Sequence, residues 1–172
     1  MAAPTLQNIK NSIGAGARSN LFRVTYSGVN NATNLSILTK SAALPSSTLG
    51  MIEIPFRGRR LKVAGDRVFS EWTTTIINDQ GFSARNAIET FQKKFNVSDY
   101  GTTASNTFQG DRNSERATLT VEQLNASNVS VRTYSLINCF PSEIGAIDLS
   151  YDTTDAIEEF TVTWTYDYFT TS

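Results

Sequence analysis

The sequence predicts a mainly β fold with one helix, an antiparallel β-sandwich or flattened barrel. Three observations predict it. Ten Phe, six Tyr and two Trp, with many Val, Ile and Thr, favour pleated, half-buried strands. Several stretches alternate apolar and polar residues with period two, and the closing one is the cleanest. A single stretch, from Ala84 to Phe95, carries apolar residues at helical spacing. A chain of 172 residues is long enough for one domain with a substantial core, so residues 1–172 are read as a single unit.

Taken in order, residues 1–18 are polar, rich in Gly, Ala, Ser and Asn, and predict a flexible arm that orders on contact. Residues 21–27 set Phe22, Val24 and Tyr26 against Arg23 and Thr25, a half-buried strand. A loop over 28–34 leads to a second strand over 35–40. Residues 41–63, broken by Pro45, Gly50, Pro55 and Gly58, form a long excursion of the kind that carries interactions. Gly65-Asp66 is read as a tight turn feeding a strand over 68–77, with Val68, Trp72, Thr74 and Ile76 on one face. Asp79 caps the helix, whose apolar face is Ala84, Ala87, Ile88, Phe91 and Phe95 and which ends near Asn96 and Tyr100-Gly101. A polar loop fills 97–115. Strands over 116–124 and 129–139 flank a hairpin turn at 125–128. Residues 141–145 read as a turn and 146–151 as a short strand. Phe160, Val162, Trp164, Tyr166 and Tyr168 then alternate with Thr161, Thr163, Thr165 and Asp167. Both aromatic stripes are read as core.

The chemistry is restricted. There is no histidine, which removes Ser-His-Asp and Cys-His nucleophile systems and the commonest zinc ligand. Cys139 is the only cysteine, so no intrachain disulfide forms, and it is read as a buried thiol. Glu158 and Glu159 are adjacent and point to opposite faces of a strand, unlike a glycosidase pair. Asp148, Asp152 and Asp155 lack the Gly and closing Glu of an EF-hand loop and are read as solvated. The glycines at 14, 16 and 65 follow no phosphate fingerprint. No metal, no cofactor and no enzymatic activity are expected. No apolar run is long enough to span a bilayer and residues 1–10 lack a signal core, so no membrane binding is expected. Asn-x-Ser/Thr triplets at Asn31, Asn34, Asn96, Asn125 and Asn128 reflect composition in such a chain.

Charge is unevenly placed. Residues 1–67 hold nine basic and two acidic side chains, whereas residues 133–172 hold seven acids and no Lys or Arg. Either the two ends neutralise one another within one fold, or they emerge on different faces and let one copy dock onto the next. Arg57, Arg59, Arg60, Lys62 and Arg67 lack the interleaved aromatics of a nucleic-acid stacking platform and are assigned to protein contact.

Between residues 43 and 85 the chain reads Ala43-Leu44-Pro45, Ile54-Pro55, Lys62-Val63-Ala64-Gly65-Asp66-Arg67, Phe69, Trp72-Thr73, Thr75, Asn78-Asp79 and Ala84-Arg85. This order of features resembles the tail tube proteins of contractile-tailed bacteriophages. The resemblance implies a ring-forming structural protein of the virion, stacked in rings with six-fold symmetry around a lumen through which DNA passes. It assigns Leu44, Pro45, Ile54 and Pro55 to an inter-subunit loop and residues 62–67 to a turn. Asp66 and Arg67 either pair to hold that turn or contact a neighbour. Asp152, Asp155, Glu158 and Glu159 become candidates for an acidic lumen or interface. The implied partners are further copies of the chain, a tail sheath protein, a baseplate or tube initiator, a tape measure and a tail terminator, with DNA in transit only. The implied locations are the virion and, during assembly, the host cytoplasm. Two alternatives stay open. The tube of a bacterial contractile injection or secretion system would share the fold, and genome context separates it. A monomeric β-sandwich carbohydrate-binding module would show glycan affinity and no self-assembly.

Overall fold

A computed structural model describes residues 5–14, 16–95, 116–152 and 154–172. The loop expected over 97–115 and the helix end at Asn96 and Tyr100-Gly101 lie outside the described residues. Among the described residues, nine strands and three helices follow one another: α1 (Leu6–Ile13), β1 (Phe22–Ser27), α2 (Ala32–Leu38), β2 (Thr39–Ala42), β3 (Ser47–Phe56), β4 (Arg59–Phe69), β5 (Trp72–Ile77), α3 (Ser83–Lys93), β6 (Ala117–Leu124), β7 (Ser130–Ile144), β8 (Glu159–Thr165) and β9 (Tyr168–Thr171).

Seven strands form one antiparallel sheet in the order β1-β6-β7-β8-β5-β2, with β9 also on β7. Among the described residues the sheet is open, with β1, β2 and β9 at its edges. The long strand β7 makes it turn back on itself. Its first part pairs with β6 and β9, and its last residues, from Phe140, pair with β8. Asn138 sits at the corner with φ 61°, and its amide donates to Asp167 Oδ2 at 2.7 Å. Arg116 holds the other carboxylate oxygen at 3.1 Å. The chain between β8 and β9 bends at the same place, where Asp167 N–H donates to Ile137 O.

That bend resets the alternation. Tyr166 is buried, but Tyr168 is 45% exposed and Phe169 takes its place against the core. The same reset occurs at Ser70-Glu71, which splits the strand expected over 68–77. Val68 is exposed and Phe69 turns inward, packing edge-on against Phe169 at 5.4 Å. A period of two survives only while the pleat is unbroken.

The core lies between the folded halves of the sheet and under α3. Trp72, Ile76, Phe160, Val162 and Trp164 from one half meet Tyr26, Leu119, Val121 and Leu136 from the other, as both aromatic stripes predict. Ala84, Ala87, Ile88 and Phe91 of α3 close it. Asp79 Oδ1 accepts the N–H of Ala84 at 2.8 Å, and that bond holds its carboxyl below the ordinary value. The cap therefore acts as expected, although the residue at the helix start is Phe82, at φ 54°.

Three expectations give way. Residues 35–38 are helical: Leu35 is buried, Leu38 packs on the core and Ile37 is 75% exposed, a spacing that suits a helix and no strand. Residues 141–144 extend β7, with a bulge between Pro141 and Glu143, so the turn expected at 141–145 is strand to Ile144. Residues 146–151 are not a strand. In the arm, Thr5 caps α1, whose Leu6, Ile9 and Ile13 form an exposed apolar stripe.

Burial pushes the Cys139 thiol up from 9.0 to about 12. A raised folded-state value means its contribution is intact below pH 9 and is lost as pH rises towards 12, because only the unfolded thiol ionises in that window. Urea denaturation of the parent chain and of Cys139→Ala should therefore diverge above pH 9, the parent losing stability faster. Parallel profiles would show that the thiol is not shielded.

Candidate functional site

β3 and β4 form a two-stranded ribbon paired from Ser47↔Phe69 to Phe56↔Arg59 and apart from the seven-stranded sheet. The excursion expected over 41–63 is thus largely a hairpin. Its turn is Arg57-Gly58, with φ 45° and 79°, the paired positive values of a type I′ turn that matches strand twist. The expected tight turn at Gly65-Asp66 does not exist; both residues lie within β4. Gly65 instead permits close approach at a bulge, since a Cβ there would lie 3.2 Å from the Gly50 carbonyl carbon. Pro55 is tolerated because a ribbon has no central strand.

Register sorts the ribbon into two faces. Ile52 opposes Val63, Ile54 opposes Leu61, and Phe56 opposes Arg59. Directly opposed residues share a face, so these form an apolar surface closed at its tip by a guanidinium. Ile52, Ile54, Phe56 and Leu61 are each between 47% and 66% exposed. The reverse face carries Glu53, Arg60 and Lys62, with Arg60 bridged to Glu53 at 2.7 Å. Asp66 and Arg67 do not pair; Arg67 donates to Ser47 Oγ at 3.2 Å. Leu44 and Pro45 lie in the link between β2 and β3, Leu44 48% exposed and Pro45 half-buried. The structure therefore places Ile54, Pro55, Arg57, Arg59, Arg60, Lys62, Asp66 and Arg67 on one projecting element. Sequence reading missed the apolar face, for which Ile52, Ile54 and Phe56 in alternation were the available signal.

The acidic residues lie elsewhere. Asp152 and Asp155 are exposed in the connection from β7 to β8. Glu158 accepts from Asn78 Nδ2 at 3.0 Å, and Glu159 pairs with Lys40 at 2.5 Å. Among the described residues no three His, Cys, Asp or Glu side chains come together. An apolar ribbon and an acidic connection, both presented to solvent, suit contact with another macromolecule better than chemistry on a small one.

The profile of the phage tail tube protein family matches residues 4–172. Tail tube protein gp19 of Enterobacteria phage T4 is 28% identical over 157 residues, 90% of this chain and 91% of that protein. The tail tube protein of Serratia phage KSP90 is 26% identical over 154 residues, covering 86% and 84%. In fold, the chain is similar to one in the sheath–tube complex of the extracellular contractile injection system PVC, with a TM-score of 0.67 at 14% identity over 99% of both chains. A chain of the anti-feeding prophage baseplate aligns with a TM-score of 0.62 at 15% identity, covering 100% and 97%. With its match running through the core strands and the ribbon alike, the chain belongs to the phage tail tube protein family.

Proposed function

We propose that the chain is the subunit of the inner tail tube of a contractile-tailed phage, assembling into stacked hexameric rings whose lumen conducts DNA. The observation that carries this reading is the ribbon: about twenty residues with an apolar face and no core of their own. A two-stranded hairpin is at best marginally stable in water. Covering Ile52, Ile54, Phe56, Leu61 and Val63 with further copies supplies what the ribbon lacks. The open edge at β2 suits lateral joining into a ring, because unpaired N–H and C=O groups on a strand edge accept another strand. The mechanism is passive and no catalysis is involved. A wall that is neutral or acidic does not hold phosphate, so the duplex slides.

Sheath, baseplate or initiator, tape measure and terminator are the partners of this reading, with the virion as destination and the host cytoplasm as place of assembly. Solved chains of like fold come from a sheath–tube complex, a baseplate and a tube-terminating cap, which supports such contacts. Identity of 28% to a phage protein, against 14% to the injection-system chain, favours the phage over the injection-system tube. Negative-stain electron microscopy over a concentration series tests the reading: hollow rings or uniform tubes are expected, and dispersed monomers at every concentration would overturn it. Reversing charge at Arg57, Arg59 and Arg60 together is expected to slow tube growth at least tenfold with the fold intact. Unchanged growth would remove that cluster from the interface.

A further inference from the structure

Both legs of the ribbon leave the sheet at one end of β5. Ala42 pairs with Thr74, Ser70 N–H donates to Ser46 O, and Trp72 follows directly. The connection from β7 to β8 runs towards the other end: Ile144 pairs with Val162 opposite Thr74, Gly145 N–H donates to Thr161 O opposite Thr75, and the chain re-enters the sheet at Glu159 opposite Ile77. The length of β5, about 17 Å at ~3.3 Å per residue, separates Glu159, where this connection re-enters the sheet, from Trp72, where the ribbon does. A copy displaced along the strand direction thus turns its ribbon end towards this connection.

The two ends are complementary. Leu149 and Ile157 in the connection are 78% and 73% exposed and, with Ile147, line a cavity of about 230 Å³ whose rim carries Asp148, Glu158 and Glu159. Asp148, Asp152 and Asp155 make no ion pair among the described residues. At the ribbon tip Phe56 is 66% exposed, with the Arg57 guanidinium 5.4 Å from its ring centre and Arg59 opposite. An engineered apolar cavity of about 150 Å³ holds a benzene ring, so the space suffices for one phenyl group. A second cavity, about 460 Å³ beside Ile13, Leu21, Leu124 and Val131, is the rival socket, but it presents Arg18 to an arginine-rich tip.

We propose that the connection between β7 and β8 is the receptor for the ribbon tip of a second copy, with Phe56 seated against Ile147, Leu149 and Ile157 and Arg57 and Arg59 facing Asp148, Asp152 and Asp155. The contact rests on the tube reading and names the surface that joins one ring to the next. Opposite charge fixes its register, and burial of the phenyl ring holds it.

Phe56→Cys combined with Leu149→Cys, assembled and treated with a short bifunctional maleimide, should give a ladder of covalent oligomers on a denaturing gel. Each subunit then offers one donor and one acceptor, so the ladder runs past dimer. Either single variant, or Phe56→Cys with Val131→Cys, should give none. Intact tubes with no ladder from the first pair, or a ladder from the 56–131 pair, would overturn the proposal while leaving the tube reading standing. As a second measure, Arg57→Glu with Arg59→Glu should lose tube growth, and adding Asp148→Lys with Asp155→Lys should restore it. Failure of restoration would also overturn the proposal. A parent chain that never forms rings would instead remove the reading on which it rests.

Discussion

Replacing Ile54 and Leu61 together by aspartate is expected to abolish ring and tube formation at concentrations where the parent chain assembles fully, while the variant melts within about 1 kcal/mol of the parent. The two residues are directly opposed at the middle of the ribbon's apolar face and are 47% and 60% exposed in the single chain. Their burial against a neighbour contributes on the order of 1–2 kcal/mol each. A desolvated, unpaired carboxylate reverses that sign and adds a cost of several kcal/mol. The core is untouched, because neither residue packs against it. Sedimentation velocity with electron microscopy reads assembly, and circular dichroism reads the fold. Tubes of normal length from this variant would show that the face looks into solvent within the assembly.

The opposite dissociation of effects is expected from Trp164→Ala, which should lose about 3–5 kcal/mol of folding stability. Trp164 is fully buried, 5.9 Å from Tyr26 and 6.4 Å from Phe91 by ring centres. It joins the sheet halves and α3 in one contact set. Its Nε1–H also donates to Thr74 Oγ1 at 3.1 Å, and Thr74 is itself buried, so truncation removes a partner as well as volume. Urea denaturation of the dilute, unassembled chain measures the loss as a lowered midpoint at unchanged slope. A loss under 1 kcal/mol would mean that α3 collapses into the vacated space.

The sequence was legible wherever one face of an element is buried in this chain's own core. Val24 and Tyr26, Leu119 and Val121, Phe160 to Trp164, and the face of α3 all announce themselves through period, because the residues that set the pattern are the residues that pack. Legibility failed where the apolar face meets nothing in the same chain. The ribbon alternates as cleanly as β1, yet Pro45, Gly50, Pro55 and Gly58 read as loop punctuation when no core gives the alternation a reason. Leu6, Ile9 and Ile13 of α1 have helical spacing among polar neighbours and bury nothing, so composition alone pointed to a structureless arm. For α2, seven residues are too few to separate a period of two from one of 3.6, and Ile37 supplied the misleading beat. The charges of the candidate surface were visible as a gradient along the chain. Their placement on the ribbon and on the β7–β8 connection needed the register of β5 against β8.

If the ribbon tip seats in the acidic connection of the next copy, as proposed, their direction towards opposite ends of β5 also gives the polymer a direction. Such a subunit is not self-complementary by a two-fold axis, so repeated addition makes a filament with two chemically different termini. On that contact, one terminus would end in apolar, arginine-tipped fingers, and the other in acidic recesses. A protein that copies only the recess would stop growth at the first terminus without touching the second. One that copies only the finger would do the reverse, so the start and the stop of the same polymer answer to different proteins.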